Sequence, residues 1–414
     1  MDMMYDLATN FDDELIKRVA DFGIVRNVYG KLREDVIGGG RPNFALPDVS
    51  RKQLEKHINL AHDNSISFNY LLNAICTDNR EIIASTNRQI HEFVSYLDKI
   101  GVESFTVGSP FMLRLVKEQA PRIKVSVSVY NDADSLQRMK EWAQLGADEL
   151  TLHYSYNRNF RKLEQVLRTI DIDLRLIANN VCLHECIYRT NHATALAHAS
   201  QTKHESKGFF LDYYSLKCGR DKLANPVKLI TADWIRPEDV HLYEELSEKV
   251  GKNNLSLKLT ERTRTTDWLV NVVQAYAQKR KDGNLFDIIN FIGNRAYAQI
   301  RKGSFIVGAL KGKANPGKML DFQKAVFLTP VNVNNRSLDG FIEYFKTHDC
   351  GSCVCDDLGW PDSETNISGA CNYCRSWAKK AIIFQQGEEA RKEALERCDK
   401  SLSDFEKGGM FRKR

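Results

Sequence analysis

Short β-rich runs alternate with amphipathic helical stretches through the first two-thirds of the chain, and no other feature narrows the fold as much. Candidate strands occupy residues 23–28, 65–69, 104–107, 124–129, 149–153, 174–178, 229–232 and 256–259. Helical patterns lie between them, at 88–100, 132–145, 159–169, 237–250 and 266–281. Strands alternating with helices in this way predict a parallel sheet with right-handed crossovers. Eight such units over this length close most simply as an α/β fold of the TIM-type (β/α)8 barrel class. The first unit is the least regular, because a glycine run (REDVIGGGRP, residues 33–42) interrupts it. Those glycines suit either a close backbone approach to a ligand or a plain flexible loop, and the loop is the simpler expectation.

A barrel of this kind uses about 250 residues, so a chain of 414 has room for an appendage. The expected division is a barrel over 1–285, a small α+β extension over 286–349, and a cysteine-rich segment with a C-terminal helix over 350–414. Within the extension, 286–301 reads as helix and 303–307 and 325–327 as strands; the final helix is expected over 377–407. The N-terminus is acidic and amphipathic rather than basic and apolar, so it does not read as a signal peptide. No run approaches the roughly 18 apolar residues of a membrane span. The expectation is a cytoplasmic protein without membrane insertion. A net charge of +5 is too diffuse to mark a large nucleic-acid footprint.

Ten cysteines are many for a reducing compartment, where close pairs favour metal ligation over disulfides. The run LRLIANNVCLHEC puts Cys182 and Cys186 just beyond a strand, where barrels carry their reactive groups. Cys76 follows an earlier strand, and Cys218 lies in the long connection leading to the next. Four thiols distant in sequence would then meet at one rim. Four thiolates suffice for an iron–sulfur cubane; zinc is the rival metal on the same ligands. For Cys76 and Cys218 singly, an ordinary buried thiol is the bland alternative. Farther on, Cys350-Gly-Ser-Cys353 and Cys371-Asn-Tyr-Cys374 form a C-x2-C…C-x2-C array with zinc-ribbon spacing, and Cys355 is a spare. Structural zinc and a second iron–sulfur cluster are both open there. Cys398, alone on a charged helix, reads as inert.

The segment NNVCLHECIYRTNH resembles the cysteine motif of the U-32 peptidase (collagenase-like) family. The likeness continues in FFLDYYSLKC, DWIRPEDVHLYEEL, LKLTERTRTTDWLVNVVQAYAQKRKDGNL and NNRSLDGFIEYF, in the family's order. The resemblance implies a TIM barrel with a [4Fe–4S] cluster on four cysteines: Cys182 and Cys186 most directly, then Cys218, then Cys76. Tyr213 or Tyr214 stands where some members carry a cysteine. Better-understood members resemble oxygen-independent hydroxylases of tRNA, ribosomal RNA or the ubiquinone ring, some using prephenate as oxygen source. The implied function is thus an iron–sulfur oxidoreductase acting on an RNA, a small aromatic molecule or a peptide. The implied partners are an electron-donor protein and a protein of the same family.

Around the expected rim, Arg189 and His192 flank the cysteine pair with Asn180, suited to hydrogen-bonding cluster sulfurs or an anion. His153 and Tyr154, with Tyr156, follow one strand, and Tyr130 and Asn131 another. Arg189, His192, His153 and Tyr154 are the catalytic candidates. Arg262 and Arg264 follow the last strand, where guanidinium forks would take a phosphate or carboxylate. Arg236 and Glu238 are expected to fix the helix opened by Pro237. No G-x-S-x-G elbow and no H-E-x-x-H helix occurs, so proteolysis has no residue support. A non-catalytic metal-binding scaffold is the rival from a different class.

Overall fold

A computed structural model describes residues 2–201, 212–291, 315–326, 331–350 and 371–410. Eight parallel strands close into a barrel in strict sequence order. They are β1 (Tyr5–Ala8), β2 (Val25–Gly30), β3 (Ser67–Leu72), β4 (Ser104–Val107), β5 (Lys124–Val127), β6 (Glu149–Thr151), β7 (Asp173–Ile177) and β8 (Leu255–Leu259). The ring closes where β1 pairs with β8, Asp6 opposite Lys258 and Leu7 opposite Leu259. Nearly every strand position is buried, as expected when helices cover one face and the barrel interior the other.

The covering helices begin with α1 (Asp13–Ala20), α2 (Arg51–Asp63), α3 (Ala84–Lys99), α4 (Pro110–Gln119), α5 (Leu136–Gln144) and α6 (Phe160–Thr169). Their starts are written in the sequence: Ser50 and Gln53 form a reciprocal capping box on α2, and Ser109 caps α4 just before Pro110, both known start signals. The β7–β8 connection departs from the simple pattern. It carries α7 (Arg189–Ala199), α8 (Tyr213–Ala224), α9 (Val227–Thr231) and α10 (Val240–Val250). After β8, α11 (Thr266–Ala277) packs against α1.

One strand was not expected, and one expected strand is a helix. The barrel starts at Tyr5–Ala8, a strand the sequence reading did not contain, because Asp6 in so short a run mimics the start of an amphipathic helix. Residues 229–232, expected as a strand, belong instead to α9 and the residue after it. A short apolar run does not distinguish strand from buried helix by periodicity. Cys218 therefore lies between the seventh and eighth strands, not the sixth and seventh.

Beyond Leu285 the differences are larger. A single 3-10 turn, Leu285–Asp287, replaces the start of the helix expected over 286–301, and residues 288–291 are not helical. Positions 292–301 and 303–307 lie outside the described residues. Ala325, expected in a strand, is in helix α12 (Pro316–Val326). The expected helix over 377–407 is two helices, α13 (Tyr373–Ala381) and α14 (Gly387–Glu406), separated by strand β10 (Ile382–Phe384). β10 pairs antiparallel with β9 (Val331–Val333), so the extension and the C-terminal segment share one small sheet rather than dividing at residue 349.

The lower barrel is filled by charge. Arg26 donates Nε to Asp6 at 3.1 Å and Nη2 to Glu149 at 2.5 Å. Arg175 pairs with the same two carboxylates. Ser256 Oγ accepts from Arg26 Nη2 at 2.8 Å, and Ser126 Oγ from Arg175 Nη1 at 3.3 Å. Burial alone would raise the Asp6 carboxyl, but Arg175 and Arg26 hold it below the ordinary carboxylate range. Buried charges are tolerated only when paired and hydrogen-bonded in this way.

Candidate active site

Above that ionic layer the strand ends open into a cavity of about 340 Å³. Its floor and walls come from the C-terminal ends of the strands: Tyr29, Thr106, Thr151, Ile177 and Lys258. Its roof is the β7–β8 excursion, through Arg189 and His192 of α7 and Tyr214, Cys218 and Lys222 of α8. One arch of chain thus supplies both the cysteines and the cover over the barrel mouth.

Cys182, Cys186 and Cys218 all line this cavity. Burial raises the thiols of Cys182 and Cys186. Two donors are aimed at sulfur: Asn180 Nδ2 reaches Cys182 Sγ at 3.3 Å, and Lys222 Nζ reaches Cys218 Sγ at 3.0 Å. Lys222 is 5% exposed and also donates to the Val181 carbonyl. Its positive charge works against burial at the Cys182 thiol. Lys222 was not singled out from the sequence, although its spacing of four from Cys218 on a helix places the two on one face.

Cys76 is not with them. Its thiol stands 3.2 Å from His198 Nε2 near the end of α7, and it does not line the cavity. Among the described residues, no three His, Cys, Asp or Glu side chains are gathered tightly enough to hold a single metal ion.

Of the expected catalytic residues, Arg189, His192 and Tyr154 line the cavity. Arg189 pairs with Asp132 at 2.8 Å, donates to the Val129 carbonyl at 3.0 Å and lies over the Tyr154 ring at 4.8 Å. Asn180 Nδ2 also donates to Tyr154 Oη at 2.8 Å, tying the aromatic wall to the cysteine segment. His192 Nε2 meets Asp212 Oδ2 at 3.0 Å, and Ser215 Oγ donates to that same oxygen at 2.6 Å. Serine and aspartate approach one nitrogen of His192 (Ser215 Oγ at 3.4 Å). A hydrolytic triad instead needs them on opposite ring nitrogens.

His153 is displaced from the expected role. It is buried beneath the rim, where Nδ1 meets Ser155 Oγ at 2.7 Å and accepts from Ser155 N at 3.2 Å, closing a 3-10 turn at Tyr154–Tyr156. Burial, aided by Arg189, lowers its pKa from 6.5 to about 4. The folded protein then binds fewer protons here than the unfolded chain, so stability is full above pH 6.5 and declines as the pH falls toward 4. In urea titrations across that window, His153→Asn is expected to lose less stability than the parent. An equal loss in both proteins would show that His153 titrates normally.

Arg262 lines the cavity as expected, is 6% exposed, and its Nη1 finds no hydrogen-bond partner among the described residues. Arg264 lies elsewhere, over the Trp268 ring at 4.7 Å, with its carbonyl accepting from Asn10. Tyr130 lines the wall; Asn131 instead donates to the Val107 carbonyl at 3.4 Å, and Tyr156 Oη to the Asp134 carbonyl at 2.9 Å. Arg236 pairs with Asp239 at 2.8 Å and Asp339 at 3.1 Å, joining the barrel to the extension. The glycine run is no flexible loop: Gly38–Gly40 are buried, and Asp35 Oδ1 accepts from Ile37 N and Gly38 N. A Cβ on Gly40 would sit 2.5 Å from Tyr130 Cε2. Arg41, next in the run, pairs with Glu261 at 2.8 Å across the rim.

Of the C-terminal array, Cys350, Cys371 and Cys374 are described and none of them lines the cavity. Cys371 Sγ contacts Tyr344 Oη at 3.6 Å, beside the stacked rings of Tyr344, Tyr373 and His348. Cys350 and Cys374 are partly buried; Cys353 and Cys355 lie outside the described residues. Cys398 is fully buried with its pKa pushed up to about 12, a poor nucleophile and ligand.

Strands, excursion and cavity together define a (β/α)8-barrel protein with a thiol-walled chamber at its C-terminal mouth. The chain belongs to peptidase family U32, whose family model matches residues 40–287. It is 24% identical over 390 residues to an uncharacterized protease of Methanocaldococcus jannaschii, covering 92% of this chain and 99% of that protein. It is 18% identical over 239 residues to tRNA hydroxylation protein P2 of Bacillus subtilis, covering 56% of this chain and 73% of that protein. The solved structure of a U32 peptidase covers 63% of this chain and 93% of its own, at 16% identity and a TM-score of 0.46. Among the described residues no helix is long and apolar enough to cross a membrane.

Proposed function

We propose that Cys182, Cys186 and Cys218 hold an iron–sulfur cluster of the [4Fe–4S] type, and that the protein is an oxidoreductase performing oxygen-independent hydroxylation. The observation that carries this reading is the convergence of three thiols on one cavity, with Lys222 donating to the Cys218 sulfur and Asn180 to the Cys182 sulfur. When bound, such a cluster supplies electron-transfer chemistry whose potential follows burial, charge and hydrogen bonds to sulfur. The chain's own residues do the rest. Arg189 and Tyr154 hold the aromatic wall, His192 and Asp212 hold a proton at the roof, and Arg262 offers a free N–H to an anionic ligand such as an organic oxygen donor of the prephenate kind. The similarity to a tRNA hydroxylation protein supports the reaction class, with RNA, a quinone-like ring or a peptide as acceptor. For Cys350, Cys353, Cys355, Cys371 and Cys374 we propose a second, separate metal site, zinc or iron–sulfur.

Anaerobic purification with iron, sulfide and zinc quantitation tests both sites at once. Iron and sulfide in equal amount, with a visible band bleached by dithionite, is the expected result. Colourless protein carrying only zinc would sink the oxidoreductase reading and leave a metal-bearing scaffold. Cleavage of gelatin that survives loss of Cys182 would return the protein to proteolysis.

A further inference from the structure

β8 reads Leu255-Ser256-Leu257-Lys258-Leu259, a fully buried strand with one charge in it. Ser256 and Lys258 share the inner face: Ser256 meets Arg26 in the ionic layer, and Lys258, one step higher, lines the cavity floor. Lys258 Nζ lies 3.7 Å from the centroid of the Tyr29 ring, and Tyr29 is fixed by its hydroxyl donating to the Leu259 carbonyl at 3.0 Å. Among the described residues no carboxylate comes within ion-pair distance of this nitrogen.

The reason lies in the layer beneath. Asp6 and Glu149 are already matched by Arg26 and Arg175, so the ionic layer is neutral without a charge on Lys258. Burial is the largest influence on the amine. Arg175 and Arg262 add to it against the pull of Asp6 and Glu149, and the pKa falls from 10.5 to about 7. A desolvated lysine among cations is the activated form of an amine nucleophile. Higher on the same wall, Arg262 presents its unpartnered Nη1, near enough for its charge to act on Lys258. Thr151 Oγ1 and Asn73 Oδ1, also unpartnered among the described residues, line the same chamber. Three unsatisfied polar atoms around one cavity are the mark of a polar ligand's seat.

We propose that Lys258 is a covalent anchor, its Nζ forming an imine with a ketone or aldehyde whose carboxylate is seated on Arg262, so that the cavity takes a 2-oxo acid or a close relative. The nitrogen lone pair adds to the carbonyl carbon, and the π pair moves to oxygen, which takes up the proton shed by nitrogen. The resulting carbinolamine loses its oxygen as water as the C=N bond forms. No oxidant or reductant enters. The inference is independent of the proposed metal, because neither Lys258 nor Arg262 is a ligand candidate.

Borohydride trapping tests it on anaerobically purified full-length protein. The probe is pyruvate with cyanoborohydride, and benzaldehyde is the carboxylate-free control. Peptide mapping is expected to place the pyruvate adduct on Lys258, at least about tenfold above any other lysine. The labelling rate is expected to rise with a midpoint near 7 rather than 10.5. Compared at a pH where the amine is neutral in both proteins, Arg262→Gln should slow pyruvate labelling about tenfold relative to benzaldehyde labelling, the worth of one charged hydrogen bond. Lys258→Met should abolish the adduct. Pyruvate spread evenly over surface lysines of the parent protein would overturn the proposal, whether or not the variants fold. So would a Lys258 adduct indifferent to Arg262, as far as the carboxylate is concerned.

Discussion

Cys182→Ala, purified without oxygen, is expected to lose its iron and sulfide to background while keeping the far-ultraviolet spectrum of the parent. Cys182 sits at the centre of the proposed donor set, receiving the Asn180 amide and sharing its cavity wall with Cys186 and Cys218. Removing one thiolate of three leaves nothing in the cavity of equal softness to replace it. Cys76→Ala provides the contrast: its thiol faces His198 outside the cavity, so iron should be retained. Lys222→Met should fall between them, loosening the metal by about 10–100-fold, as losses of groups behind metal ligands do. Iron at parental level in Cys182→Ala would remove the metal from this cavity altogether.

Arg175→Met is expected to be the most damaging substitution in the barrel itself. Arg175 is 2% exposed and bridges Asp6 and Glu149. Its removal leaves Arg26 alone to serve two buried carboxylates. Breaking such a buried pair costs about 3–5 kcal/mol, which equilibrium urea unfolding would read as a large fall in midpoint at unchanged slope. A loss under about 1 kcal/mol would mean that water enters the layer and that the charges are not sealed there. Lys258→Met in the same assay should cost far less, because that lysine completes no ion pair.

The barrel was legible in the sequence because periodicity survives local error. Seven of the strands, at 23–28, from 65–69 to 174–178 and again at 256–259, were visible as β-rich runs within a few residues of their true bounds. Tyr5–Ala8 was hidden because its central residue is a carboxylate, and a charge inside a barrel makes sense only once Arg26 and Arg175 are known to meet it. The run at 229–232 misled for the opposite reason: it is apolar enough for either structure, and Pro226 immediately before α9 favours a helix start.

The site was legible in part. Cys182, Cys186 and Cys218 could be grouped by motif, and Arg262 by its place after the last strand. Cys76 and His153 also follow strands, yet their side chains turn to His198 and Ser155; position after a strand does not fix direction. Lys258 does carry a signal in the sequence, a single lysine within a strand otherwise fit for burial. Arg41 and Glu261 carried none, because the rim bridge joins the glycine run to the far end of the barrel.

The pairing of β1 with β8 also sets an order of assembly. Translation delivers β1 first and its second neighbour last, after the whole cysteine-bearing excursion has been made. Until β8 arrives, the sheet keeps two open edges, and contacts this far apart in the chain form slowly. Cys182, Cys186 and Cys218 are therefore synthesised before the wall behind them exists. The nascent chain passes through a stage in which these thiols are exposed to solvent rather than walled into one cavity, open to oxidation and to premature capture of free metal.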